Sequence, residues 1–112
     1  MMKASDYCII STTTDTRENA DTISNALLQN QLIACSQRTV TQSAYRWKGK
    51  IIEAEEILLQ MKTKKSLFDS IEKIINDLHT YDVPEIIMIP LLDANEFYLD
   101  WIEKETIQSN NH

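Results

Sequence analysis

One glycine, Gly49, stands inside a proline-free stretch, residues 33–62, whose first half is dense in Ile, Thr, Val, Tyr and Trp. β-Branched and aromatic residues favour strands. A chain that must turn back on itself places its least hindered residue at the turn. Lys48-Gly49-Lys50 is therefore predicted as the tip of a long β-hairpin, with arms over 33–47 and 51–62. That length constrains the rest. Arms of about 13 to 15 residues reach roughly 45 Å at strand rise. A domain of this size has a radius of gyration of about 13 Å, hence a diameter in the mid-30s of ångströms. The distal ribbon must overhang its own core. It carries Tyr45, Trp47, Ile51 and Ile52 near its tip, and an isolated two-stranded ribbon is marginal in water. Packing on another copy of the chain would cover both the apolar side chains and the open edges. A bulged hairpin curling back onto its own domain is the alternative.

The same glycine count excludes several chemistries. A phosphate loop needs two glycines and a dinucleotide fingerprint three; the glycine-flanked nucleophile elbow is excluded as well. There are 17 Asp and Glu against 11 Lys and Arg, a net charge of −6. That balance disfavours nucleic acid and anionic membrane as partners. No apolar run approaches the ~18 residues of a membrane span, and Met1–Asp6 has no apolar leader core. Cys8, Cys35, His79 and His112 are the whole soft-ligand inventory. None has the spacing of a structural zinc site. Two distant cysteines form no disulfide framework, which predicts a reduced, cytoplasmic protein.

Around the hairpin the periodicity changes. Tyr7–Thr13 reads as a buried strand. Asp15-Thr16-Arg17-Glu18 has the capping-box form, and Ala20, Ile23, Leu27 and Leu28 continue it as a helix over 16–30. Leu67, Phe68, Ile71, Ile74, Ile75 and Leu78 form an apolar stripe on a second helix over about 64–79. Residues 85–89 read as another buried strand, closed by Pro90. Asp93-Ala94-Asn95-Glu96 then opens a short helix bearing Phe97, Tyr98, Trp101 and Ile102. The order β-α-β-β-α-β plus a final helix predicts an α+β, ferredoxin-like split βαβ fold. Its antiparallel sheet has a long central hairpin. One domain spans 1–112, with an ordered core over about 7–106 and a frayed tail over 107–112.

Ala34-Cys35, Tyr45-Arg46-Trp47-Lys48-Gly49-Lys50, Glu56, Lys62-Thr63, His79-Thr80-Tyr81-Asp82-Val83-Pro84-Glu85-Ile86-Ile87 and Tyr98-Leu99-Asp100-Trp101-Ile102 together resemble the CutA family of divalent-cation tolerance proteins. The resemblance covers residues 7–106. It implies a ferredoxin-like subunit and a homotrimer whose hairpins pair between subunits. It also implies tolerance to divalent metals, copper above all, without an enzymatic reaction. Family members with a described copper site carry a cysteine and two adjacent histidines where this chain has Ser11, Leu78 and His79. His79 is thus the one inherited metal ligand, and one imidazole holds copper, or another divalent cation, only weakly.

The remaining candidates divide by place. Tyr45, Trp47 and Glu56 are expected at the trimer interface, Glu56 paired there with a Lys or Arg. Lys62, Tyr81 and Glu85 are expected in a cleft between subunits, with Pro84 holding Val83 extended. His79 could instead be a structural residue at the end of the second helix. Cys35 reads as a small buried hydrophobe, and a Cys35–His79 nucleophilic pair would lack an orienting third group. Two functions follow: a non-enzymatic homotrimeric tolerance protein, or a PII-like trimeric sensor binding a small metabolite or nucleotide in its intersubunit clefts.

Overall fold

A computed structural model describes residues 3–108. The expected tail residues Ser109–His112, His112 included, lie outside them. The chain order is β1 (Tyr7–Thr14), α1 (Arg17–Gln29), β2 (Cys35–Trp47), β3 (Lys50–Lys64), α2 (Phe68–Leu78), β4 (Ile87–Pro90) and α3 (Glu96–Glu105). The strands lie in the order β2-β3-β1-β4, and every pairing is antiparallel. This is the ferredoxin-like arrangement, with β1 and β3 central and β2 and β4 at the edges.

The hairpin has its predicted tip and its predicted reach. Its register runs unbroken from Cys35 opposite Lys62 to Trp47 opposite Lys50, with no bulge to bend it. Lys48 and Gly49 both have positive φ, 52° and 81°, as a two-residue turn matched to strand twist requires. β1 pairs with β3 only over Ile57–Lys64. Beyond Glu56 the sheet continues as β2 and β3 alone, and the molecule is 48 Å long but only 26 by 22 Å across.

α1 and α2 pack on one face of the sheet. Ala20, Ile23 and Leu27 of α1 and Ile71 and Ile75 of α2 meet Cys8, Ile10, Leu59 and Met61 in one buried cluster. α3 covers the near end of the other face, where Leu99 and Ile102 enclose Tyr7. There Lys64, 6% exposed, bonds Glu103 Oε2 at 3.0 Å and the Ile107 carbonyl at 2.9 Å. Ile107, assigned to the frayed tail, is tied down further by its N–H on the Gln31 carbonyl.

Three local expectations are corrected. Thr16, not Asp15, caps α1, its hydroxyl accepting from Asn19 N at 3.0 Å; the Asp15 carboxylate accepts from the Thr80 hydroxyl instead. Asn95 occupies the cap position of α3, while Asp93 Oδ1 accepts from the adjacent Ala94 N–H. β4 is shorter than expected and not buried: Ile87 and Ile89 are 46% and 44% exposed. As an edge strand it is covered on the side where Ile86 and Met88 reach the core. Among the described residues no helix is long and apolar enough to cross a membrane.

Candidate functional site

Strand alternation decides which side chains can meet. Leu59 and Met61 point into the helix-covered core, so Glu56, Leu58, Lys62 and Lys64 point to the opposite face. By register, Cys35, Gln37, Thr41, Tyr45 and Trp47 of β2 and Thr13 of β1 share that face. α3 covers only its Lys64 end. The distal part is open but for the segment between α2 and β4.

That segment is stapled down residue by residue. His79 ends α2, its N–H on the Ile75 carbonyl at 2.8 Å. Its Nε2 meets the Thr13 carbonyl at 2.8 Å and its Nδ1 accepts from Tyr81 N at 3.0 Å. A carbonyl needs a donor and an N–H an acceptor, so the ring carries its proton on Nε2. Thr80 reaches Asp15 at 3.0 Å. The His79 and Tyr81 rings lie 4.9 Å apart, and the Tyr81 hydroxyl donates to Glu56 Oε2 at 2.6 Å. Pro84 follows, with Glu85 exposed at the rim.

Between this segment and the ribbon lies a cavity of about 700 Å³. It gathers Tyr45, Trp47 and Glu56, expected at an interface, with Tyr81 and Glu85, expected in a cleft. The two groups are thus neighbours in a single copy. Glu56 is 6% exposed. Within one copy its partner is the Tyr81 hydroxyl, and the salt bridges among the described residues of that copy do not include it. Burial, and then the bond to Glu56, push the Tyr81 hydroxyl well above its ordinary range, so it stays a donor.

Lys62 stands apart from this cavity. Its ammonium is bonded to Gln37 Oε1 and lies 6.0 Å from the centre of the Tyr98 ring. Cys35, half-buried rather than buried, is 3.9 Å from the Tyr98 hydroxyl. It therefore faces Tyr98 and not His79. Burial, then the Cys35 contact, push that hydroxyl up to about 12.

Ser11, Leu78 and His79, the positions that the family resemblance assigns to a metal site, do not converge in one copy. Ser11, opposite Gln60 and buried, lies on the sheet face away from α1 and α2, whereas Leu78 packs on the helix-side core. Both His79 nitrogens are engaged in the fold. Among the described residues no group of three His, Cys, Asp or Glu side chains could hold a metal ion. A metal at His79 has to displace the Tyr81 N–H or take the ring from Thr13.

Sequence reasoning missed the Glu56–Tyr81 bond and the parts of Thr13 and Asp82 in the cavity wall. The alternation along β3 does contain the signal: Glu56 shares parity with Lys62 and Lys64, on the face without α1 and α2. What closes over it is 25 residues away in sequence.

Residues 8–105 match the family model described as CutA1 divalent ion tolerance protein. The chain is 40% identical over 98 residues to the divalent-cation tolerance protein CutA of Pyrococcus horikoshii, covering 88% of this chain and 96% of that one. The Thermus thermophilus protein of the same name is 36% identical over 99 residues, with the same coverage. The crystal structure of CutA1 from Oryza sativa superposes with a TM-score of 0.89 at 29% identity, over 96% of this chain and all of that one. With sequence, fold and coverage in agreement, this chain belongs to the CutA1 divalent ion tolerance protein family.

Proposed function

We propose that this protein is a non-enzymatic divalent-cation tolerance protein that works as a homotrimer in the cytoplasm and holds copper weakly. The family match over residues 8–105 carries the tolerance reading and favours it over the PII-type sensor. A growth assay tests it. Cells lacking their own copy should regain growth at raised copper when this chain is supplied; no difference from an empty vector would refute it.

The ribbon supports assembly. It exposes Val40 (59%) and Ile51 (69%) on one side and Tyr45 (38%) and Trp47 (39%) on the other. An apolar ribbon with both faces wet needs a partner surface. The two sheet edges, β2 and β4, differ, and an edge-to-edge contact between unlike edges propagates head to tail until a ring closes. Three copies is the number the family resemblance implies. Light scattering should give about three times 13.0 kDa at micromolar concentration; a monomer across that range would refute it. Trp47→Asp should weaken assembly and stability together, because it buries an unpaired charge.

Copper binding is expected at His79 and expected to be weak, because the ring must surrender a hydrogen bond to ligate. Titration with Cu(II) should show a site lost in His79→Ala. Tight binding that survives that substitution would place the metal elsewhere. The reduced compartment is supported by Cys8 and Cys35 both being free thiols.

A further inference from the structure

His79 is fixed in place before its ring makes any contact. It ends α2, and the carbonyl of the preceding Leu78 accepts from Asn19 Nδ2 at 2.9 Å, which pins the end of α2 to α1. Asn19 is itself 7% exposed. The imidazole then joins β1 to the segment that follows. Its Nε2–H donates to the Thr13 carbonyl at 2.8 Å, and its Nδ1 accepts the Tyr81 N–H at 3.0 Å. Two further bonds hold the same segment: the Thr80 hydroxyl to Asp15 at 3.0 Å and the Tyr81 hydroxyl to Glu56 at 2.6 Å.

The two ring nitrogens are not equivalent toward a cation. A metal ion takes a lone pair, and in a neutral ring only the nitrogen without a proton has one to give. Here that nitrogen is Nδ1. Ligation through Nε2 would require the proton to move to Nδ1. There it would face the Tyr81 N–H, donor against donor, and the Thr13 carbonyl would lose its donor as well. Ligation through Nδ1 keeps the Thr13 bond, which orients the ring. It releases the Tyr81 N–H alone.

We propose that His79 is the fastener of the 79–85 segment and that Nδ1 serves either Tyr81 or a divalent cation, never both. This rests on the weak-copper reading and says what sets the weakness. The firmness of the segment's docking, through Thr80 on Asp15 and Tyr81 on Glu56, fixes the metal affinity of a ring that neither pair touches. Coupling of this kind is reciprocal: a cation on Nδ1 loosens the segment, and a loosened segment tightens the cation by the same factor.

Cu(II) titration by calorimetry and hydrogen–deuterium exchange over residues 80–85 test this on the assembled wild type, His79→Ala, Tyr81→Phe and Thr80→Ala. Thr80 is exposed and Tyr81→Phe keeps its ring, so these two loosen the segment and leave Nδ1 in place. Without metal, His79→Ala should speed exchange of the Tyr81 amide about tenfold or more. Saturating Cu(II) should do the same in wild type and add nothing in His79→Ala. Tyr81→Phe and Thr80→Ala should each tighten Cu(II) binding about three- to tenfold. Light scattering on the same samples keeps lost assembly from being mistaken for loosening. Copper that binds at His79 with the segment still protected, or no tighter in the two loosened variants, would overturn the inference and leave the weak-copper reading standing. So would unchanged exchange in His79→Ala. Copper bound only in the loosened variants would support the inference and refute that reading for wild type. Copper bound in no variant would refute both.

Discussion

Removing Glu103 should cost far more stability than removing the lysine it pairs with. The Lys64 side chain is 8% exposed and that of Glu103 33%. They meet at 3.0 Å, and the Tyr7 hydroxyl donates to the second Glu103 oxygen at 2.7 Å. Glu103→Ala leaves the buried ammonium with only the Ile107 carbonyl and deprives Tyr7 of its acceptor. Stranding one member of a buried pair costs about 3–5 kcal/mol. Water reaching the half-open side brings this to about 2–3 kcal/mol. Lys64→Met instead removes the buried charge and keeps its volume. Glu103 retains Tyr7 and gains water, so the cost is about 1 kcal/mol or less. The difference also has a pH signature. Hydrogen bonds from Tyr7 and then Lys64 hold the Glu103 carboxyl below its ordinary range. A carboxyl depressed by folding stabilises fully above its unfolded pKa, about 4.3, and loses that contribution as pH falls through its folded value. The gap between wild type and Glu103→Ala should therefore narrow below about pH 4. Guanidinium unfolding at pH 7 and pH 3, at one protein concentration because assembly stabilises by mass action, reads both effects. Equal losses for the two variants, or a gap that widens in acid, would refute the assignment of Lys64 as the stranded partner.

Two further outcomes follow from local geometry. Gly49→Ala meets no atom within 4 Å but forces a side chain to φ +81°, so thermal melting should show a loss of about 1 kcal/mol from backbone strain alone; an unchanged melt would mean the turn relaxes. Cys8 is fully buried and burial pushes its thiol up to about 11, so peptide mapping after native alkylation should find Cys8 unmodified, and labelling at neutral pH would contradict its place in the core.

The fold was legible wherever a period ran long enough. The α2 stripe and the β-rich arms around Gly49 each repeat one pattern over many residues, and both elements form where expected. Caps were legible only to within a residue. Asp15 and Thr16 can each cap a helix, and the choice depends on Thr80, 65 residues away, which takes Asp15. β4 was misread for a deeper reason. Residues 85–89 are apolar at every position after Glu85, as a strand covered on both faces would be. In a single copy β4 is an edge with one face wet. The site divides the same way. Aromatics on the ribbon could be read from the sequence, but nothing local says that Glu56 lies under Tyr81 or that Lys62 turns away to Gln37 and Tyr98.

Exposed apolar side chains occur at both ends of the molecule. Leu92 and Phe97 lie beside and on α3, while Val40, Tyr45, Trp47 and Ile51 lie on the ribbon and Ile87 and Ile89 on the open edge. Two buried oxygens, Thr12 Oγ1 and Asn19 Oδ1, also lack a partner among the described residues. What sets the ribbon apart is that Tyr45, Trp47 and Ile51 stand on two strands alone, with no third strand beside them. Apolar strips and open strand edges are met together by another protein surface, since only backbone and apolar side chains satisfy both. Glu56 at the ribbon's root makes no such demand, because the Tyr81 hydroxyl already bonds it. The proposed assembly is therefore read most directly at the ribbon, where Trp47→Asp acts on the apolar strip.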